Sequence, residues 1–244
     1  MSTIAIIQAR TGSSRLPGKI LKTLAGDSVI SQVYHRVAQA KGLDSVVIAM
    51  PEGAADDALA DHVATFCPMM FRGSETDVLA RYAGAATLYP ADTYVRITSD
   101  CPFIDPDILD AMLGAFSDLA PDYMTNTLVP HLPRGLDVEV FTAAALQTAA
   151  DEATAPHLRE HVTPFLYQNA DRFDICGFRA LPDDHSALRW TLDTPEDWEL
   201  ISRMSDMLDV PLQQARLRDF LDLYQSDPEL HLINAAIQQK PLDA

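Results

Sequence analysis

Three stretches of the chain concentrate side chains suited to phosphate and metal chemistry. The first, Gln8-Ala9-Arg10-Thr11-Gly12-Ser13-Ser14-Arg15-Leu16-Pro17-Gly18-Lys19, follows an apolar run and sets three cations among small or hydroxyl residues. Small residues let backbone amides approach an anion, Arg15 offers a planar fork and Lys19 a point charge, so the stretch reads as a polyphosphate cradle. It is no Walker A loop, because five residues separate Gly12 from Gly18 and Ile20 stands where a hydroxyl would meet magnesium. The second stretch, Arg96 to Pro106, ends an apolar run in Ser99-Asp100 and then turns at Pro102. The third, Leu188 to Asp197, repeats the device with Asp193. Two such carboxylates at neighbouring strand ends would hold a magnesium ion whose remaining positions belong to phosphate oxygens and water. Thr194 and Asp193 compete for the cap of the helix announced by Pro195, and Asp105 before Pro106 reads as a helix cap.

Two middle motifs, Pro133 to Phe141 and His157 to Pro164, place polar groups beside apolar runs. Arg134, Arg159 and His161 are candidates for an acceptor's anionic group, and Asp137 and Glu139 for its hydroxyls, with Gly135 in the same acceptor motif. The alternation of a strand turns both acids to one side. A solvated strand face and an amphipathic helix explain the same pattern. His157 and His161 lie one helical turn apart but not as HExxH, which gives no reason to assign zinc.

The elements that must carry these groups follow from periodicity. Ile4–Ile7, Val46–Ala49 and Tyr94–Ile97 are continuous apolar runs, as strands buried on both faces should be, and helical spacing fills 28–41, 55–66 and 76–88. The alternation predicts an α/β fold, a three-layer α/β/α sandwich with a mostly parallel sheet and ligands at the strands' carboxyl ends. After residue 120 shorter strands are expected at 137–141, 173–178 and 188–192, with helices near 142–150 and 157–169. A single domain over 1–244 is expected, with a nucleotide-binding half (1–120), an acceptor half (121–205) and a helical C-terminal extension (206–244).

The charge balance narrows the partners. A formal net charge of −17 argues against nucleic acid, whose binding needs lysines and arginines on phosphates, yet residues 1–50 carry six basic side chains against two acidic ones. A basic N-terminus on an acidic protein suits a small polyphosphate. Cys67, Cys101 and Cys176 form neither a metal-ligand pair nor a disulfide framework and read as buried thiols. The N-terminal apolar run is too short for a signal segment or a membrane span, so a cytoplasmic protein without membrane contact is expected.

Taken in order, Arg10–Lys19, Arg72-Gly73-Ser74-Glu75-Thr76-Asp77-Val78-Leu79-Ala80-Arg81-Tyr82, Arg96–Pro106, Arg134–Phe141, Arg159–Pro164 and Leu188–Asp197 resemble the cytidylyltransferases that make CMP-activated sugars. These are the acylneuraminate and 3-deoxy-manno-octulosonate enzymes, and most closely the family of spore coat polysaccharide biosynthesis protein F. The resemblance implies a nucleotide-diphosphosugar transferase (Rossmann-like) fold and CTP as the nucleotide, with Arg15 and Lys19 on its triphosphate and Asp100 and Asp193 on Mg2+. It places Gln8, Ala9, Arg10, Gly12, Ser13 and Ser99 around the nucleotide, and the Arg72 to Arg81 stretch, with Arg72, Gly73 and Asp77, at the border of its base and ribose pocket. It also implies a small sugar-like or acidic acceptor, a surface-polysaccharide pathway and a homodimer, for which the apolar residues of 200–223 are candidates. The rivals are a glycosyltransferase using a nucleotide sugar on the same architecture and a nucleotide-binding protein without turnover.

Overall fold

In the computed structural model, which describes residues 1–239, the first apolar run is strand β1 (Thr3–Gln8) in the middle of a seven-stranded sheet. Both faces of β1 are buried: Ala5 and Ile7 join one core cluster, and Ile4 and Ile6 the other. A strand covered on two sides has no polar face to show, which is why the run is continuously apolar. After a small hairpin, β2 (Thr23–Leu24) and β3 (Asp27–Ser28), come α1 (Val29–Val37), β4 (Ser45–Pro51), α2 (Asp57–Val63), β5 (Met70–Gly73), α3 (Val78–Leu88) and β6 (Thr93–Thr98). The second half adds α4 (Pro106–Leu119), β7 (Tyr123–Thr125), β8 (Glu139–Thr142), α5 (Ala143–Glu152), α6 (Pro156–His161), α7 (Pro164–Tyr167) and β9 (Ile175–Gly177). It closes with α8 (Pro195–Asp206), α9 (Leu217–Ser226) and α10 (Leu230–Ile233).

The sheet order is β5-β4-β1-β6-β8-β7-β9, and only β8 runs against its neighbours. Helices α1, α2 and α4 cover one face with Ile30, Val33, Leu59, Leu109 and Met112. Helices α3, α5 and α7 cover the other with Leu79, Tyr82, Leu146 and Phe165. The result is the expected α/β/α sandwich with a mostly parallel sheet. β1 lies between β4 and β6, and a crevice opens above the carboxyl ends of β1 and β6.

Two expectations change. The run 188–192 is an extended segment with one isolated bridge, Arg134 to Arg189, instead of a sheet strand. Its alternate side chains Trp190 and Leu192 are buried in a third cluster, away from the main sheet. Most apolar residues of 200–223 pack inside the chain, where Leu200, Ile201, Met204, Leu212 and Phe220 pack on Phe103 and Trp190, with Phe103 stacked on Phe220 at 4.0 Å, while Val210 is 40% exposed. The C-terminal extension is helical in α9 and α10, while residues 240–244 of that expectation lie outside the described residues. Among the described residues no helix is long and apolar enough to cross a membrane.

Candidate nucleotide-binding site

A cleft of about 900 Å³ opens at the carboxyl ends of β1 and β6, within the volume range of small-molecule sites. Gly18, in the left-handed region at φ 65°, turns the loop after β1 into a short 3-10 turn, Lys19–Leu21, and buries Lys19 beneath the cleft. There the Lys19 ammonium donates to Asp100 Oδ2 at 2.8 Å, Asp193 Oδ1 at 2.9 Å and the Leu192 carbonyl at 2.6 Å. Three donors meet three acceptors. Burial alone would depress the Lys19 pKa, but Asp100 and Asp193 outweigh it and hold it above the ordinary value.

Asp193 reaches Asp100 across 93 positions through backbone pairing on both sides of residues 188–192. Trp190 N donates to Arg134 O at 2.7 Å and Arg134 N to Leu188 O at 3.0 Å, while Leu192 N donates to Asp100 O at 2.8 Å. The close approach requires Gly135: its φ is 108°, and a Cβ there would sit 2.6 Å from the Trp190 backbone. Thr194 wins the competition for the α8 cap, in a capping box with Asp197, and leaves the Asp193 carboxylate to the cations. Arg15 approaches Asp193 Oδ2 at 3.1 Å and Arg189 the same oxygen at 2.9 Å. Burial pushes the Asp193 pKa up, yet Lys19, Arg15 and Arg189 more than reverse this and hold it below the ordinary value. Asp105 caps α4 through Asp107 N at 2.8 Å, as expected.

The cradle residues Gln8, Ala9, Arg10, Gly12, Ser13 and Arg15 line the cleft beside Lys19, and Ser99 lines it next to Asp100. The loop is held from behind, since Asp56 accepts from Thr11 N at 2.7 Å and from the Thr11 hydroxyl at 2.9 Å. Arg72 belongs to this support: it donates to Pro51 O and Gly53 O and pairs with Asp57 at 2.8 Å, fixing the turn that carries Asp56. Gly73 follows it in β5, and neither lines the cleft. Asp77 is also outside. One of its oxygens caps α3 through Ala80 N, and the other takes Arg159 at 2.6 Å. Arg159, expected on the acceptor, instead donates to Ala150 O and Ala153 O at the end of α5 and to Asp77.

On the acceptor side the cleft is lined by Arg134, Asp137, Glu139 and His161, while Gly135 lies beneath against residues 190–191. Glu139 borders the cleft, but its carboxylate is already committed to Arg96, Thr163 and, at 2.7 Å, the Tyr123 hydroxyl. That leaves it little capacity for an acceptor hydroxyl. Val162 turns Thr163 toward Glu139 by adopting φ 72°, an uncommon conformation for a β-branched residue that costs about 1–3 kcal/mol. Asp137 is different: burial, and then Glu139 and Asp100 against the opposing pull of Arg134, push its pKa up to about 6. Arg134 stands exposed at the rim.

Two arginines of the site are not singled out individually by sequence, although Arg81 closes the stretch expected at the base and ribose. Arg96 lines the cleft from β6, held by Gln8 Oε1 at 3.1 Å and Glu139, and Arg81 lines it from α3 with its Nε unpartnered. Arg81 is buried and in a helix interior, where the helical pattern alone gives an arginine no special mark. Cys67 and Cys101 are buried and Cys176 half-buried; burial, followed by Asp100, raises the Cys101 thiol well above its usual pKa. Among the described residues no group of three or more histidines, cysteines or carboxylates could hold a metal on its own. Any divalent ion here would share Asp100 and Asp193 with a ligand. Both carboxylates reach one nitrogen, so a single cation can bridge them.

The spore coat polysaccharide biosynthesis protein SpsF of Bacillus subtilis is 35% identical over 206 residues, covering 82% of this chain and 84% of that protein. An uncharacterized protein of Methanocaldococcus jannaschii is 33% identical across 98% of this chain and 97% of its own. A solved cytidylyltransferase from Leptospira borgpetersenii superposes with a TM-score of 0.90 at 30% identity, over 98% of this chain and 100% of that one. A CMP:2-keto-3-deoxy-manno-octonic acid synthetase solved with CTP shares the fold, with a TM-score of 0.65 at 22% identity over 84% of this chain and 99% of its own. Residues 4–227 match the family model described as cytidylyltransferase, and the chain belongs to that family.

Proposed function

We propose that the protein transfers CMP from CTP to a small sugar-like or acidic acceptor and releases pyrophosphate. The observation that carries this reading is the Lys19 ammonium held between Asp100 and Asp193 in the floor of a cleft edged by the β1 loop. An ammonium between two carboxylates marks a place where positive charge is stabilised. The hard oxygens of Asp100 and Asp193 suit Mg2+, which uses one or two carboxylates and takes its other ligands from phosphates and water. Bound there, magnesium would polarise phosphate oxygens.

The chain's own groups do the rest. In the structure Lys19 and Arg15 pair with the carboxylates; with nucleotide present they turn to the β and γ phosphates and offset the charge of the departing pyrophosphate. Arg10 and the amides around Gly12 and Ser13 seat the same phosphates. Arg134 and Asp137 orient the acceptor so that its oxygen attacks the α-phosphorus in line. The new oxygen–phosphorus bond forms as the bond to the bridging oxygen of pyrophosphate breaks, and the acceptor's proton passes to solvent. Positioning and charge neutralisation supply most of the acceleration.

The test is a pyrophosphate-release assay of the four nucleoside triphosphates against a panel of keto-sugar acids, sugar phosphates and phosphonates. CTP with one acceptor class should release pyrophosphate in magnesium. Consumption of a nucleotide sugar without pyrophosphate would move the assignment to glycosyl transfer, and triphosphate binding with no product across the panel would reduce it to a binding protein. The role of SpsF in spore coat polysaccharide biosynthesis supports placing such a reaction among those that prepare sugars for polymer assembly.

A further inference from the structure

The family match ends at residue 227, yet the chain after it returns to the cleft. Leu230 is fully buried in the third core cluster, which anchors α10 beside α8 and sets the path of residues 234–239. Asn234, itself buried, uses both hydrogens of its amide: Nδ2 donates to the Arg189 carbonyl and to Asp197 Oδ1, each at 2.9 Å. Five residues on, Gln239 lines the cleft, and its Oε1 accepts from Arg189 Nη1 at 2.7 Å.

Arg189 is the link between this segment and the site. Its guanidinium is bidentate to Asp197, at 2.9 and 3.0 Å, and its Nη2 also holds Asp193 Oδ2 at 2.9 Å. Asp197 in turn accepts from the Asp193 and Thr194 amides at 3.0 Å, so it fixes the backbone of the residue whose side chain Arg189 orients. Apart from the exposed Gln239, every group in this chain of contacts is buried or half-buried. Groups behind a metal-ligating carboxylate set its place and its affinity for the ion.

We propose that residues 230–239 form part of the nucleotide site: Asn234 is a positioning residue that, through Arg189 and Asp197, sets Asp193 in the cleft, and Gln239 keeps the Arg189 guanidinium turned toward it. This rests on the reading of Asp100 and Asp193 given above.

The test uses Mn2+ as a paramagnetic probe of the full-length protein with CTP, alongside CTP affinity without metal and a thermal midpoint. Asn234→Ala should weaken Mn2+ binding in the CTP complex about tenfold, at the low end of what removing such supporting groups costs. Metal-free CTP affinity should stay within about twofold. Asn234→Asp should be worse than Asn234→Ala, because it keeps the size but sets a second carboxylate against Asp197; a merely space-filling residue would rank them the other way. Gln239 is exposed, so Gln239→Ala folds regardless and should weaken Mn2+ about two- to threefold. Should Asn234→Ala not fold, Gln239→Ala decides. Unchanged Mn2+ affinity in the folded variants, or equal loss of metal-free and metal-dependent binding, overturns the inference. If the wild-type protein itself fails to bind Mn2+ with CTP, the reading of the two carboxylates falls instead.

Discussion

The two walls of the cleft are built on opposite plans. The cradle wall comes from one contiguous stretch, Gln8 to Lys19, whose Arg15 and Lys19 pair with Asp193 and Asp100, Lys19 also with the Leu192 carbonyl, contacts that a nucleotide and its ion can reorganise. The acceptor wall is assembled from several segments, and most of its charge is already used. Arg96 is committed to Glu139 and Gln8, and Arg159 to Asp77 and two carbonyls, which leaves Arg134 and Asp137 as the groups most available to an acceptor. A wall that binds a common ligand such as a nucleotide triphosphate can be a short stereotyped loop. A wall that tells one acceptor from another needs residues from many places, each held by its own supports.

The contrast can be broken first at the point where the walls meet. Asp100→Asn should lower turnover by about 1,000-fold, equivalent to the several kcal/mol that a polarising metal supplies, while the thermal midpoint stays near that of the wild type. Steady-state pyrophosphate release and a melting curve check both halves; retained turnover would show that the carboxylates serve only to hold Lys19. Next in size is Gly135→Ala. A Cβ forced against the Trp190 backbone at φ 108° should cost about 3 kcal/mol in chemical denaturation and should weaken acceptor use through misplaced Asp193 and Arg134.

Asp137→Asn sharpens the comparison through pH. The folded protein binds this proton more tightly than the unfolded chain, with a pKa of about 6 against an ordinary 3.8, so Asp137 stabilises nothing as a carboxylate: stability falls as pH rises from about 4 to 6. Relative to wild type, the amide variant should be more stable above pH 6 by about 2 kcal/mol, with the difference vanishing below pH 4, and its acceptor KM should rise. Denaturation at pH 4 and 7 tests the sign. The smallest effect belongs to the supports behind the cradle. Asp56→Ala, which frees Thr11, should raise the KM for CTP about threefold to fivefold with kcat nearly unchanged; an equal fall in kcat would place Thr11 in the chemistry.

The same contrast decides what could be read from sequence. The cradle and its strand were legible because they are local: a buried strand leaves a continuous apolar run, and a phosphate loop leaves cations among small residues. Asp100 and Asp193 were legible as strand-end acids, although 188–192 is held by one bridge to Arg134 and one further backbone bond to Asp100, so the acid was located by a pattern whose structural basis differs from a sheet strand. Arg72, Asp77 and Arg159 carried the right residue types but serve as supports, because nothing in a sequence says which carbonyl or cap an arginine or aspartate will meet. Arg81 and the returning tail at Asn234 and Gln239 depend on long-range packing, and neither spacing nor composition marks them.

The central claim is that Asp100 and Asp193 share an ion with the nucleotide while Lys19 leaves them for its phosphates. A crystal structure with CTP and Mn2+, read by the anomalous signal of the metal, tests it most directly. A manganese peak between the two carboxylates is expected, with phosphate oxygens completing its sphere and the Lys19 ammonium moved onto the triphosphate. A peak elsewhere, or Lys19 still bridging Asp100 and Asp193 beneath a bound nucleotide, would contradict it.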